Sequence, residues 1–285
     1  NYVVGARLVE SGLYRQKANG EFEHLGPSHP AIRGMAFDGN RVYLAAGNGC
    51  VRVANGEWRQ TTGWEVTEPM GVEVDPFHRG RLYLALPDGV YVSNNGGERW
   101  DYSNQGLHRP YIQTVVADRY RKGVVLAGGE SGLYRSEDAG ATWNRIAEGM
   151  FTTIAQADER RWWAGRQWGG LFRSTDGGRR FAAVNGVPAK ATIYGIATEG
   201  PRRVAVTSWD FGLLETSDEG RNWREQGPGD QRLWTVAYDR REPGSLWVNV
   251  HEKGLLRRTP GATEWKAAGL PGTVIYQISF VEEQA

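Results

Sequence analysis

The chain has 285 residues, and its 34 Lys plus Arg against 33 Asp plus Glu leave a formal net charge of +1. With arginines spread along its length and no basic stripe, it does not read as a nucleic-acid binder. It contains no run of about 18 apolar residues to span a membrane. Its single cysteine, Cys50, excludes an intrachain disulfide and any Cys-based metal site.

Strand-like runs begin at once. "NYVVGARL" at 1–8 is followed by a run opening at Gly12 and a short one at Phe22. Then comes "GMAFD", "VYLAAG", a run opening at Gly49 and one at Trp58. The same order returns as "GVEVD", "LYLALP", Gly89 and Trp100, and as "QTVVAD", "VVLAGG", Gly132 and Trp143. It returns again as "TTIAQAD", "WWAGRQ", Gly170 and Phe181, and as "YGIATEG", "VAVTSW", Gly212 and Trp223. The last pass is "WTVAYD", "LWVNVH", Gly254 and Trp265, after which "YQISFVE" stands alone. The closing aromatics are 36, 42, 43, 38, 42 and 42 residues apart. Internal repeats of about 40 residues, each with four short runs bounded by Asn, Gly, Asp and Pro, predict blades of a β-propeller.

The predicted fold is therefore all-β: one domain over 1–285, a seven-bladed β-propeller of four-stranded antiparallel blades. The first unit lacks its first strand and the chain ends on a spare one. Tyr276–Glu283 is thus expected to pair beside Tyr2–Leu8 and close the ring, removing exposed edges. Trp162 and Trp163 lie in one strand and should face opposite sides of it. Cys50, at a strand start, reads as a small buried filler.

Between the third and fourth runs stands Ser136-x-Asp138-x-Gly140-x-x-Trp143, repeated as Ser174/Asp176/Gly178/Phe181, Thr216/Asp218/Gly220/Trp223 and Ser93/Asn95/Gly97/Trp100. Aspartate accepts backbone N–H groups nearby, glycine supplies positive φ, and the aromatic buries against the neighbouring sheet. These segments resemble the Asp-box, or BNR repeat. The resemblance implies a propeller in which Asp138, Asp176 and Asp218 are structural and lie opposite any binding face. Sialidases, xyloglucanases, VPS10-type sorting receptors and photosystem II assembly factors share the box. The chain has no Arg-Ile-Pro motif of the sialidase kind. Xyloglucanases of this type hold their acid pair between two propellers, whereas one is predicted here. The extracytoplasmic habit of such proteins, and a first residue that is Asn1 rather than Met, give the expectation of a secreted or periplasmic protein whose signal peptide was removed.

A ligand is expected where inter-blade loops and second-to-third-strand loops surround the channel mouth. Repeats five to seven are richest there: Arg166, Gln167, Trp168, Tyr194, Trp209, Asp210, Phe211, Asp230, Arg232, Trp234, His251 and Glu252. Flat rings beside hydrogen-bonding groups suit a sugar or a protein hot spot. The alternative for Trp168, Trp209 and Trp234 is that they cap the rims of neighbouring blades. The leading expectation is non-catalytic recognition of a protein partner or carbohydrate, without cofactor or metal; the five histidines show no ligand spacing. The alternative is a glycoside hydrolase using a carboxylate pair about 5–5.5 Å or 6.5–9.5 Å apart. Asp210 with Asp230, Asp230 with Glu252, and Asp88 with Glu65 or Glu68 are the candidate pairs.

Overall fold

A computed structural model describes residues 11–29, 31–229 and 232–281. Six of the seven units are four-stranded antiparallel sheets in simple up-and-down order. The first unit contributes a two-stranded hairpin, β1 (Leu13–Gln16) with β2 (Phe22–Leu25). Unit two holds β3 (Gly34–Asp38), β4 (Arg41–Ala46), β5 (Gly49–Ala54) and β6 (Glu57–Gln60). Unit three holds β7 (Gly71–Val74), β8 (Leu82–Leu86), β9 (Gly89–Ser93) and β10 (Asp101–Tyr102). Unit four holds β11 (Ile112–Ala117), β12 (Val125–Gly129), β13 (Gly132–Ser136) and β14 (Asn144–Ala147). Unit five holds β15 (Phe151–Gln156), β16 (Trp162–Arg166), β17 (Gly170–Ser174) and β18 (Ala182–Ala183). Unit six holds β19 (Gly195–Glu199), β20 (Arg203–Ser208), β21 (Gly212–Thr216) and β22 (Arg224–Glu225). Unit seven holds β23 (Leu233–Tyr238), β24 (Leu246–Val250), β25 (Gly254–Arg258) and β26 (Lys266–Gly269).

The first strands of successive units touch one another, β3 to β7, β7 to β11, and on to β23, so they line the axis. Second strands are buried on both faces, which is why Leu82–Leu86 and Leu246–Val250 read as continuous apolar runs instead of alternating ones. No unit owns a core. Tyr43 and Cys50 of unit two share a layer with Leu82, Leu84 and Leu86 of unit three, and the pattern repeats around the ring. Trp162 and Trp163, both fully buried, enter different layers: Trp162 packs with Leu126 of unit four and Trp163 with Val204 of unit six.

Two turn devices hold the end where strands one and two, and three and four, are joined. In the box turns the hydroxyl, not the aspartate, takes the glycine N–H. Ser136 Oγ accepts from Gly140 N at 2.8 Å and donates to Asp138 Oδ1 at 2.7 Å. That oxygen takes Thr142 N at 2.8 Å, four residues on. The sites at Ser174, Thr216 and Ser93 repeat the scheme. Hydrogen bonds from Asn222 and Thr216 hold the Asp218 carboxyl far below its ordinary pKa. Trp143 is buried, and its indole N–H donates to Ser103 O of the preceding unit at 2.7 Å. A second aspartate caps most first hairpins: Asp75, Asp118, Asp158 and Asp239 accept N–H groups two residues on.

The expected seven complete blades are corrected to six, with β1 and β2 as the described part of a seventh unit. The other half of the predicted closure, Tyr2–Leu8, lies outside the described residues. The segment 272–281 is not a strand; side-chain amides hold it instead. Gln277 Oε1 accepts Met35 N at 2.7 Å and its Nε2 donates to Met35 O at 3.1 Å, as a paired peptide group would. Asn249 Oδ1 accepts Ile275 N at 3.1 Å, and its Nδ2 donates to Thr273 O at 3.3 Å. The tail thus bridges unit seven to unit two.

Candidate functional site

Loops between second and third strands and between units lie at the end opposite the box turns, because neighbouring strands run antiparallel. There, units six and seven bring a set of rings together. Tyr194, just before β19, stacks on Trp234 of β23 with centroids 4.8 Å apart and contacts Trp209, after β20, at 5.4 Å. Trp209 meets Trp234 edge to face at 5.6 Å, and His251 at 4.9 Å. The His251 N–H donates to Arg232 O at 2.9 Å, which fixes the hairpin after β24 against the loop before β23. The Arg232 guanidinium lies 5.4 Å over Trp209. Tyr276 of the tail adds a ring 5.9 Å from Trp234, with Arg33 over it at 5.9 Å. The result is one aromatic wall from unit six through unit seven to the tail.

Asp210 fastens that wall to the preceding loop. Its Oδ2 accepts Thr192 N at 3.0 Å and Ser208 Oγ at 3.2 Å. Burial, and then the Asp210 charge, push the Tyr194 phenol above its ordinary pKa. Trp209 keeps 36% of its surface exposed, and Trp168, at positive φ on the hairpin after β16, keeps 75%. Trp209 and Trp168 therefore keep ring surface in contact with solvent.

Other expected residues sit differently. The Arg166 guanidinium lies over Phe151 at 5.6 Å and over Phe172 at 5.2 Å. Phe211 packs on the layer that holds Trp163 and Leu171, whereas Trp209, two residues earlier in the same turn, stays partly exposed. Gln167 ties its N–H to Met150 O at 2.9 Å. Glu252 is exposed at positive φ, with Oε2 4.0 Å from His251 Nδ1. Asp230, and with it two of the candidate carboxylate pairs, lies outside the described residues. Asp88 is held by Tyr102 OH at 2.9 Å and Tyr91 OH at 3.5 Å. Among the described residues no group of three or more His, Cys, Asp or Glu could hold a metal ion, and no helix is long and apolar enough to cross a membrane.

Sequence reasoning placed Tyr276 only in ring closure, yet it joins the wall with Arg33 over it. Trp64, 89% exposed, lies apart on the loop between units two and three. A lone tryptophan in the "TGWEVTEPM" loop was the signal available for the last.

No family model matches the sequence. A xyloglucanase of Paenibacillus sp is 25% identical over 193 residues, 60% of this chain and 18% of its own length. A Neosartorya fischeri protein named "probable oligoxyloglucan-reducing end-specific xyloglucanase" is 25% identical over 238 residues, 77% of this chain and 25% of its own length. The chain thus spans a quarter or less of these relatives. Among solved structures, the GH74 xyloglucanase of Xanthomonas campestris superposes with a TM-score of 0.71 at 19% identity, over 84% of this chain and 45% of that one. YCF48 bound to D1 peptide superposes with a TM-score of 0.62 at 14% identity, over 85% of this chain and 83% of that one. The chain is similar in fold to both solved structures: a β-propeller of four-stranded antiparallel blades.

Proposed function

We propose that this protein engages a polysaccharide through the aromatic wall of units six and seven, on a propeller of glycoside-hydrolase type that acts outside the cytoplasm. The observation that carries the reading is the contact set of Tyr194, Trp209, Trp234 and His251, with Arg232 over Trp209. Sugar rings present flat C–H faces that match exposed indoles, and flanking guanidinium and carboxylate groups take hydroxyls. The two curated relatives named xyloglucanase supply the substrate class to try first. For hydrolysis we assign Asp210 with Asp230 as the pair across the scissile bond, the alternative being Asp230 with Glu252. Tyr276 of the tail extends the wall beside Trp234.

The test is affinity electrophoresis on xyloglucan together with reducing-sugar release. Wild type is expected to be retarded. Trp209→Ala with Trp234→Ala should weaken retention at least tenfold, while Asp210→Asn should spare binding and abolish sugar release. Retention unchanged in the double variant refutes the wall. Binding without sugar release in wild type refutes the hydrolase assignment and leaves recognition alone. A protein partner is the second reading, favoured by the nearly end-to-end match to YCF48, whose structure carries a peptide.

A further inference from the structure

The far end of the ring holds a feature that a linear reading misses. The first hairpins of units four to seven each carry two arginines: Arg119 and Arg121, Arg160 and Arg161, Arg202 and Arg203, Arg240 and Arg241. In each pair one guanidinium is locked to a carboxylate. Arg121 pairs with Asp118 at 3.5 Å and Glu159 at 3.4 Å, and Arg161 with Asp158 at 2.5 Å and Glu219 at 3.2 Å. Arg203 pairs with Glu199 at 2.6 Å and Arg241 with Asp239 at 3.2 Å. The other member is exposed and has no ion pair among the described residues: Arg119, Arg160, Arg202 and Arg240. Arg119 and Arg160 direct hydrogen bonds to carbonyl oxygens, of Gln156 and Thr175.

These hairpins converge. A cavity of about 310 Å³ is lined by Arg119 of unit four, Ala157 of unit five, Glu199 of unit six, and Asp239 and Arg240 of unit seven. Its two carboxylates are already satisfied. Glu199 takes Arg203 and Gly244 N at 2.7 Å; Asp239 takes Arg241 and the Trp247 indole N–H at 3.3 Å. Glu73, which faces Arg119 from unit three, is pushed up to about 8 by burial and so does not cancel that arginine near neutrality. On the same set of hairpins Tyr120 is 53% exposed, directly beside Arg119.

We propose that this collar is a second binding site, for a polysaccharide bearing carboxylates or sulfates. Unpaired guanidinium groups on successive units would take the anions, and the Tyr120 ring offers a platform for a sugar face, which a peptide would not require. The site lies at the end opposite the aromatic wall and is independent of it.

The test measures binding of polygalacturonate and of heparin, as uronate and sulfate probes, by titration calorimetry at low and high salt. Controls are neutral xyloglucan, poly-L-glutamate and a single-stranded oligonucleotide. Wild type should bind at least one acidic polysaccharide, with affinity falling as salt rises. Arg119→Gln, Arg160→Gln, Arg202→Gln and Arg240→Gln together should weaken it at least tenfold, and Trp209→Ala with Trp234→Ala should not. Arg119→Gln with Arg240→Gln, and separately Tyr120→Ala, serve if the fourfold variant loses its fold. No binding by wild type, or binding unchanged in the arginine variants, overturns the site. Poly-L-glutamate or the oligonucleotide bound as tightly, with the same loss in the variants, overturns the carbohydrate assignment.

Discussion

Glu73 gives the sharpest measurable consequence of the ring's interior. It stands on β7 beside β11, where burial raises its carboxyl from 4.5 to about 8, against a backbone hydrogen bond from Ala117 and the charge of Arg119, which favour ionisation. Its folded pKa exceeds its unfolded one, so the stability it contributes is complete below about pH 4.5 and is lost as the pH rises through about 8. A shift of this size corresponds to about 5 kcal/mol, and partial relaxation of the site brings the expected loss to about 3–5 kcal/mol. Glu73→Gln keeps the shape and the acceptor for Ala117 N but cannot ionise. Urea unfolding of both proteins across pH 5 to 9 isolates the effect, since every other titrating group is common to both. The variant should match wild type at pH 5 and exceed it by a few kcal/mol at pH 9. A difference that is flat with pH, or that favours wild type at pH 9, refutes the burial argument.

Ser136→Ala removes the acceptor of the buried Gly140 N–H and should cost about 1–3 kcal/mol in chemical denaturation. Trp143→Phe keeps most of the ring but strands the Ser103 carbonyl, with a similar loss expected by the same measurement. Cys50, buried with its thiol pushed up to about 12, should resist a thiol-reactive dye in the native protein and react once urea unfolds it. Gln277→Leu should speed amide exchange at Met35 without altering exchange in β12, because only the tail's hold on β3 is lost.

The repeat was legible because each unit must bury the same second strand between two neighbours, so apolar runs return at a fixed period. The opposite faces of Trp162 and Trp163 followed from strand alternation alone. Alternation could not separate Trp209 from Phe211, because residues two apart share a face in a strand; both stand in a turn, where Phe211 packs inward. The arginine collar was invisible because its members lie about 40 residues apart, and only ring geometry makes them neighbours. The number of complete blades was overestimated because a run such as "YQISFVE" has strand composition, whereas its described part, 276–281, forms no strand.

Since each apolar layer among the described residues is held jointly by two adjoining units, no single complete unit can be removed or exchanged without uncovering surface on its neighbours. Evolution of such a chain by loss of one repeat would require two interfaces to be rebuilt at once, whereas its rim loops are free to vary one at a time. The architecture therefore conserves the number of sectors while leaving the chemistry at either opening open to change.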